Sequence, residues 1–121
     1  MANSIDTFFD AWGMADDAAR ATAISSVYAA DGTYADPRSD GILTGAETIA
    51  AYVNMFSASA PGWTAKVVKS DDSAGVTRAT VAFGGKGPDG QEMVQHGQYF
   101  VESDGAQITR MVGFVGTGAP E

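Results

Sequence analysis

The chain has 121 residues, 45% of them apolar and 18% charged, with no run approaching the ~18 apolar residues of a membrane span. Its start, Met1-Ala2-Asn3-Ser4, lacks a basic region followed by an apolar core, so a cytoplasmic location is expected. A formal charge of −8 with scattered cations argues against nucleic acid or anionic membrane, and zero cysteines with one histidine argue against disulfides, thiolate chemistry and metal centres, so no cofactor is implied.

In chain order, Ile5, Phe8, Phe9 and Trp12 fall at i, i+3, i+4 and i+7, the stripe of an amphipathic helix capped by Asn3 or Ser4. Asp16 and Asp17 offer caps and favourable first-turn charge to a second helix carrying Ala21, Ile24, Val27 and Tyr28, which Asp31-Gly32 is expected to stop. The two helices then form a hairpin. Thr33 to Asp36 alternates β-type residues, and Pro37 biases Asp36 toward extended backbone, so a short strand is expected there. Thr44 and Glu47 have capping-box spacing before Ile49, Tyr52, Val53 and Phe56, a third helix opened by Gly45 and ended by Pro61-Gly62.

From Trp63 the texture becomes β-rich, in runs 63–69, 76–84, 91–102 and 106–116, parted by turn segments 70–75, 84–90 and 103–105. Helices first and a meander afterwards predict one α+β domain over 1–121, with the helices on one face of a curved, mostly antiparallel sheet. The tail from Gly116 to Glu121 reads as a frayed end. Period-2 reading separates Gly97, Tyr99 and Val101 from Val94, His96, Gln98 and Phe100, and Met111 and Gly113 from Ile108, Val112 and Phe114. Both faces carry apolar residues, so the face away from the helices is expected to be buried in a homodimer.

A helix-end aromatic, an Ala-x-Asp, an Asp-Pro, a Gly at the next helix start and a final Asp-Gly hairpin are present as Tyr28, Asp31, Asp36-Pro37, Gly45 and Asp104-Gly105. Together with Trp12, Arg20, Pro61-Gly62 and the closing run from Val112 to Gly116, this pattern resembles the nuclear transport factor 2-like superfamily. Within it, the likeness is to SnoaL-like polyketide cyclases and ketosteroid isomerase-like proteins, and it extends over nearly the whole chain. The resemblance implies a cone-shaped, cystatin-like fold enclosing an apolar pocket, commonly in a dimer. It also implies a carboxylate base at Asp36 that shuttles a proton beside a carbonyl. The isomerases' oxyanion-hole positions hold Phe8 (or Phe9) and Gly97 here, neither of which can donate a side-chain hydrogen bond. The Asp–Arg–Asp set of the epoxide-hydrolase branch is represented only by Asp36 with Arg38 or Arg78.

Asp36 is thus expected to be a general base whose basicity is raised by Phe8, Trp12 and Tyr52, set against the plainer role of bonding a local turn before Gly41. Phe8, Trp12, Tyr34, Tyr52, Phe83, Gly97, Tyr99 and Met111 are expected around the pocket, although aromatic stripes at helical spacing also make ordinary core. Tyr34 and Tyr99 have hydroxyls that can replace the missing donors, and Gly97 can enlarge the pocket. His96, an acid–base group by type, faces the dimer surface by strand parity unless a bulge reverses it. Two functions remain open: a cofactor-independent cyclase or isomerase acting on a small apolar carbonyl compound, or a non-catalytic ligand-binding or dimerisation module.

Overall fold

The computed structural model describes residues 4–39, 41–60, 62–87, 89–105 and 107–115, the side chain of Val115 excepted. The expected cap Asn3, the helix stop Pro61 and the tail from Gly116 lie outside the described residues. Helix α1 (Ser4–Trp12) buries Ile5, Phe8, Phe9, Ala11 and Trp12, the anticipated stripe. Asp16, extended at φ −100°, caps α2 (Asp17–Val27) by accepting the Ala19 N–H at 2.9 Å. Helix α3 spans Ala46–Ser59, with Gly45 as its N-cap.

Six strands, β1 (Tyr28–Ala35), β2 (Leu43–Thr44), β3 (Thr64–Ser73), β4 (Val76–Lys86), β5 (Glu92–Asp104) and β6 (Gln107–Val115), form one sheet in the order β2-β1-β6-β5-β4-β3. Only β1 and β6 pair in parallel. This is the α+β arrangement expected, three helices on a mostly antiparallel sheet. No helix among the described residues is long and apolar enough to cross a membrane.

Several boundaries differ from those expected of the sequence, for identifiable reasons. Tyr28 begins β1 rather than ending α2, so Asp31-Gly32 lie inside a strand. The β1–β6 register slips between Tyr28 and Thr33, and the Tyr28 hydroxyl spans the slip by donating to the Thr33 carbonyl at 2.6 Å. Thr44 is committed to β2 opposite Thr33, so α3 starts with no side-chain cap bond and the expected capping box does not form. The anticipated 70–75 turn shrinks to Ala74-Gly75, because β3 and β4 stay paired out to Ser73 and Val76.

On β6, Arg110 faces Glu102 and Ile108 faces Ser103, leaving Thr109 as an extra residue whose hydroxyl donates to the Glu102 carbonyl at 3.1 Å. This bulge reverses side-chain parity: Ile108 and Met111 are both buried, although simple alternation put them on opposite faces. Outside, Val94, Phe100 and Phe114 stay exposed, and the last two rings pack edge-on at 5.7 Å.

The helical layer is knotted by Arg20, whose side chain is fully buried. Its Nε donates to the Ala11 carbonyl at 3.0 Å, and Nη1 donates to Asp17 at 2.6 Å and Asn54 at 2.7 Å. Its Nη2 donates to Ser57 at 2.9 Å and to the Met14 carbonyl. One guanidinium thereby joins the end of α1, the start of α2 and the middle of α3.

Candidate functional site

Asp36 directly follows β1, where Pro37 removes a donor and fixes the turn that leaves the sheet. Its Oδ1 accepts the backbone N–H groups of Arg38 and Ser39, each at 2.8 Å, the bonds of an Asx turn. The local-turn role is therefore real. The same carboxylate also accepts the Tyr34 hydroxyl on Oδ2 at 2.6 Å, and the Tyr52 hydroxyl on Oδ1 and Oδ2 at 2.8 and 2.9 Å. Two phenols and two backbone amides, drawn from β1, α3 and the turn, converge on one half-buried carboxylate. The surroundings expected to be apolar are instead rich in donors.

Tyr34 and Tyr99 touch through their hydroxyls at 3.5 Å, a long contact. A phenol has one proton, and that of Tyr34 is committed to Asp36; among the described residues the Tyr99 hydroxyl makes only this long, weak contact, so its proton can turn to a ligand. Burial raises the pKa of all four tyrosines, 28, 34, 52 and 99, and for Tyr34 and Tyr52 the adjacent Asp36 raises it further. These hydroxyls remain donors throughout the neutral range.

A cavity of about 250 Å³ opens beside Asp36. Trp12 from α1, Tyr52 and Phe56 from α3, Phe83 from β4, and Gly97 and Tyr99 from β5 line it, with Pro37, Arg38, Ala60, Trp63, Gln95, His96 and Phe114 completing the wall. Its aromatic side is continuous: Trp12 packs on Phe56 at 4.9 Å and on Phe83 at 5.5 Å, and Phe83 on Tyr99 at 6.2 Å. Gly113 seats Tyr99, since a Cβ at that position would lie 2.8 Å from the ring's Cδ2. Among the described residues, no group of three or more acidic or histidine side chains is placed to hold a metal ion.

Of the residues anticipated at the pocket, Asp36, Trp12, Tyr52, Phe83, Gly97 and Tyr99 line the cavity. Phe8, Tyr34 and Met111 do not: all three are wholly buried in the core, and Tyr34 supports the site from behind, through its bond to Asp36 and its contact with Tyr99. Tyr34 is therefore not a spare donor. Gly97 does not simply widen the pocket, because a Cβ there would meet Tyr99 at 3.2 Å and Phe83 at 3.3 Å, so those rings occupy the space. His96 lines the cavity despite its parity, and the β4–β5 register runs past it without a bulge; the consecutive residues Gln95, His96 and Gly97 in the first half of β5 all contribute to the wall.

Phe56 is visible in the sequence only as part of a helical stripe, Arg38 only as a candidate partner of Asp36, and Trp63, Gln95 and Phe114 carry no functional signal there. One polar atom stands out. Trp12 is 2% exposed, and its indole N–H is the one buried side-chain polar atom among the described residues without a hydrogen-bond partner. An unpartnered buried donor costs about 1–3 kcal/mol.

A family model described as SnoaL-like domain matches residues 5–111. Solved structures share the fold. A SnoaL-like family protein from Agrobacterium tumefaciens is 23% identical with a TM-score of 0.78, over 93% of this chain and 94% of that one. A protein with a ketosteroid isomerase-like fold from Catenulispora acidiphila, in complex with trimethylamine, is 18% identical with a TM-score of 0.77, over 94% and 85%. An NTF2-like protein of unknown function from Exiguobacterium is 16% identical with a TM-score of 0.74, over 96% and 100%. No curated protein matches the chain.

Proposed function

Because the chain belongs to the SnoaL-like domain family, we propose that its cavity takes a small, largely apolar carbonyl compound on which Asp36 moves a proton in cofactor-independent cyclase- or isomerase-like chemistry. The observation that carries this reading is a carboxylate and a phenol with donor capacity, Asp36 and Tyr99, on the wall of one aromatic cavity. Asp36 accepts a proton from the carbon beside the carbonyl, the C–H electron pair moves into an enolate, and the Tyr99 hydroxyl donates to the oxygen where negative charge gathers. Return of the proton to another carbon gives an isomer; attack of the enolate carbon on a second carbonyl closes a ring, and the new alkoxide takes up the proton held by Asp36.

About 250 Å³ lies below the ~300–1,000 Å³ usual for drug-sized ligands, which suits one or two rings. The Catenulispora protein of this fold is described with a small molecule bound, which supports a binding role. The donors around Asp36 favour a second reading, a non-catalytic binding module. An anionic carboxylate offers about four lone-pair sites, and Tyr34, Tyr52, Arg38 and Ser39 already use them. For catalysis a substrate must displace one donor; Arg38, which gives its backbone N–H, and Tyr52 both line the cavity, and the Tyr52 hydroxyl, divided between both oxygens, is the side-chain donor there.

The two readings separate by proton NMR in deuterated water with 2-tetralone and wild-type or Asp36→Asn protein. Protein-accelerated loss of the proton beside the carbonyl, abolished by Asp36→Asn, supports catalysis. Binding by both proteins with no acceleration in either supports the module.

The exposed Phe100–Phe114 pair supports a homodimer through the outer sheet face. Phe114 also lines the cavity, so a second copy on this face borders its mouth.

A further inference from the structure

The chain has four arginines, and three of them meet a carboxylate: Arg20 at Asp17, Arg78 at Asp71 and Arg110 at Glu102. Arg38 does not, although Asp36 stands two residues away and accepts its backbone N–H at 2.8 Å. Among the described residues the Arg38 guanidinium makes no hydrogen bond or ion pair. The reason lies in Asp36, whose roughly four lone-pair sites are already used by two phenols and two backbone amides, so none is left for a guanidinium. Arg38 lines the cavity, and its charge is felt inside. Burial raises the pKa of the Tyr52 and Tyr99 hydroxyls, and Arg38 works against that rise at both. Arg38 is exposed whereas Trp12, which lines the same cavity, is buried, so the guanidinium marks the mouth and the aromatic rings the depth.

We propose that Arg38 makes the cavity mouth a carboxylate-binding subsite and that the ligand is a small cyclic carboxylic acid, its ring seated among Trp12, Phe56 and Phe83 and its acid group held by the guanidinium fork. This goes beyond a neutral carbonyl compound by adding an acidic group, and it needs only the cavity, not proton transfer by Asp36. The charge of Asp36 opposes an anion, so the carboxylate of the ligand sits on the Arg38 side, in the exposed mouth. Among the described residues, His96 is the other group on the wall able to carry positive charge, and the test separates it from Arg38.

The test compares 2-naphthoate with 2-naphthamide, its neutral counterpart of the same shape, by isothermal titration calorimetry on wild type, Arg38→Gln and His96→Gln, with 2-tetralone titrated alongside. The expected result is tighter binding of 2-naphthoate by about tenfold in wild type, a preference that sodium chloride weakens, that Arg38→Gln removes and that His96→Gln keeps. Arg38→Lys, which keeps the charge without the fork, should retain part of it. The Arg38 side chain makes no bond in the fold and its backbone N–H survives substitution, so Arg38→Gln is expected to fold; the salt dependence in wild type reads the charged contact without any variant. Equal binding of the two compounds, tighter binding of 2-naphthamide, or a preference that Arg38→Gln keeps overturns the inference. If neither naphthalene binds, the inference is overturned as well, and the 2-tetralone titration shows separately whether the cavity takes a carbonyl compound.

Discussion

Tyr52 donates its single hydroxyl proton to both oxygens of Asp36, at 2.8 and 2.9 Å, joining the middle of α3 to the end of β1. Tyr34 holds the same carboxylate from within the sheet at 2.6 Å. The two phenols are not equivalent, because Tyr34 is wholly buried and Tyr52 only half so.

Tyr34→Phe is accordingly expected to cost about 1.5–3 kcal/mol, the range for a hydrogen bond to a charged group. Tyr52→Phe should cost about 1 kcal/mol, since water entering the cavity can replace its hydroxyl. Urea unfolding of the two variants checks the order; equal losses would mean that burial does not distinguish the two bonds.

Arg20→Met should be the most damaging of the substitutions considered, at about 3–5 kcal/mol, because it strands acceptors on α1, on α3 and in the connection between α1 and α2 at once. Asp17→Asn should cost at most about 1 kcal/mol, although Asp17 forms the ion pair with Arg20, because its side chain is 72% exposed. Thermal melts of both variants decide whether the carbonyl and amide acceptors or the ion pair carry the stabilisation.

All four tyrosines have raised pKa values in the fold, so the folded state resists losing phenol protons that the unfolded chain gives up near pH 10. The unfolded state then binds fewer protons than the folded one, and stability falls as pH rises. This contribution is intact below about pH 10 and is lost as the pH climbs toward the folded-state values. In an alkaline titration, phenolate absorbance should appear together with loss of near-ultraviolet circular dichroism. Ionisation of several tyrosines in a still-folded protein near pH 10 would contradict it.

Phe100→Lys should give a monomer in sedimentation velocity if the outer sheet face joins two copies, because it sets a cation against an apolar patch. A wild-type protein that sediments as a monomer at high concentration would remove the dimer proposal altogether.

Elements that follow from local chemistry are legible in the amino-acid sequence. The stripe from Ile5 to Trp12, the Asp16 cap and the hairpin at Asp104-Gly105 depend only on neighbouring residues. Asp36 is legible as well, because Pro37 marks the end of its strand. What escapes depends on distant partners. Thr44 has the spacing of a helix cap, but Thr33 claims it for the sheet, and Ile108 faces outward by alternation, but the Thr109 bulge turns it inward. Convergence of Tyr34 and Tyr52 on one carboxylate has no signature in spacing, since β1 and α3 meet only through the fold. Nor does the orphaned indole of Trp12, whose isolation comes from rings contributed by α3 and β4.

The parallel pairing of β1 with β6 also has a consequence for how the molecule comes into being. Tyr34 lies opposite Met111, so the strand that delivers Asp36 gains its main sheet neighbour only when the last described element is in place. On a ribosome, the helices and the first hairpins can collapse while β1 still has only the two-residue β2 beside it. Contacts that close so long a loop form later than local ones. Folding of the carboxylate's surroundings is therefore expected to be a late event, and a nascent chain halted before Gln107 should carry its helices without a finished cavity.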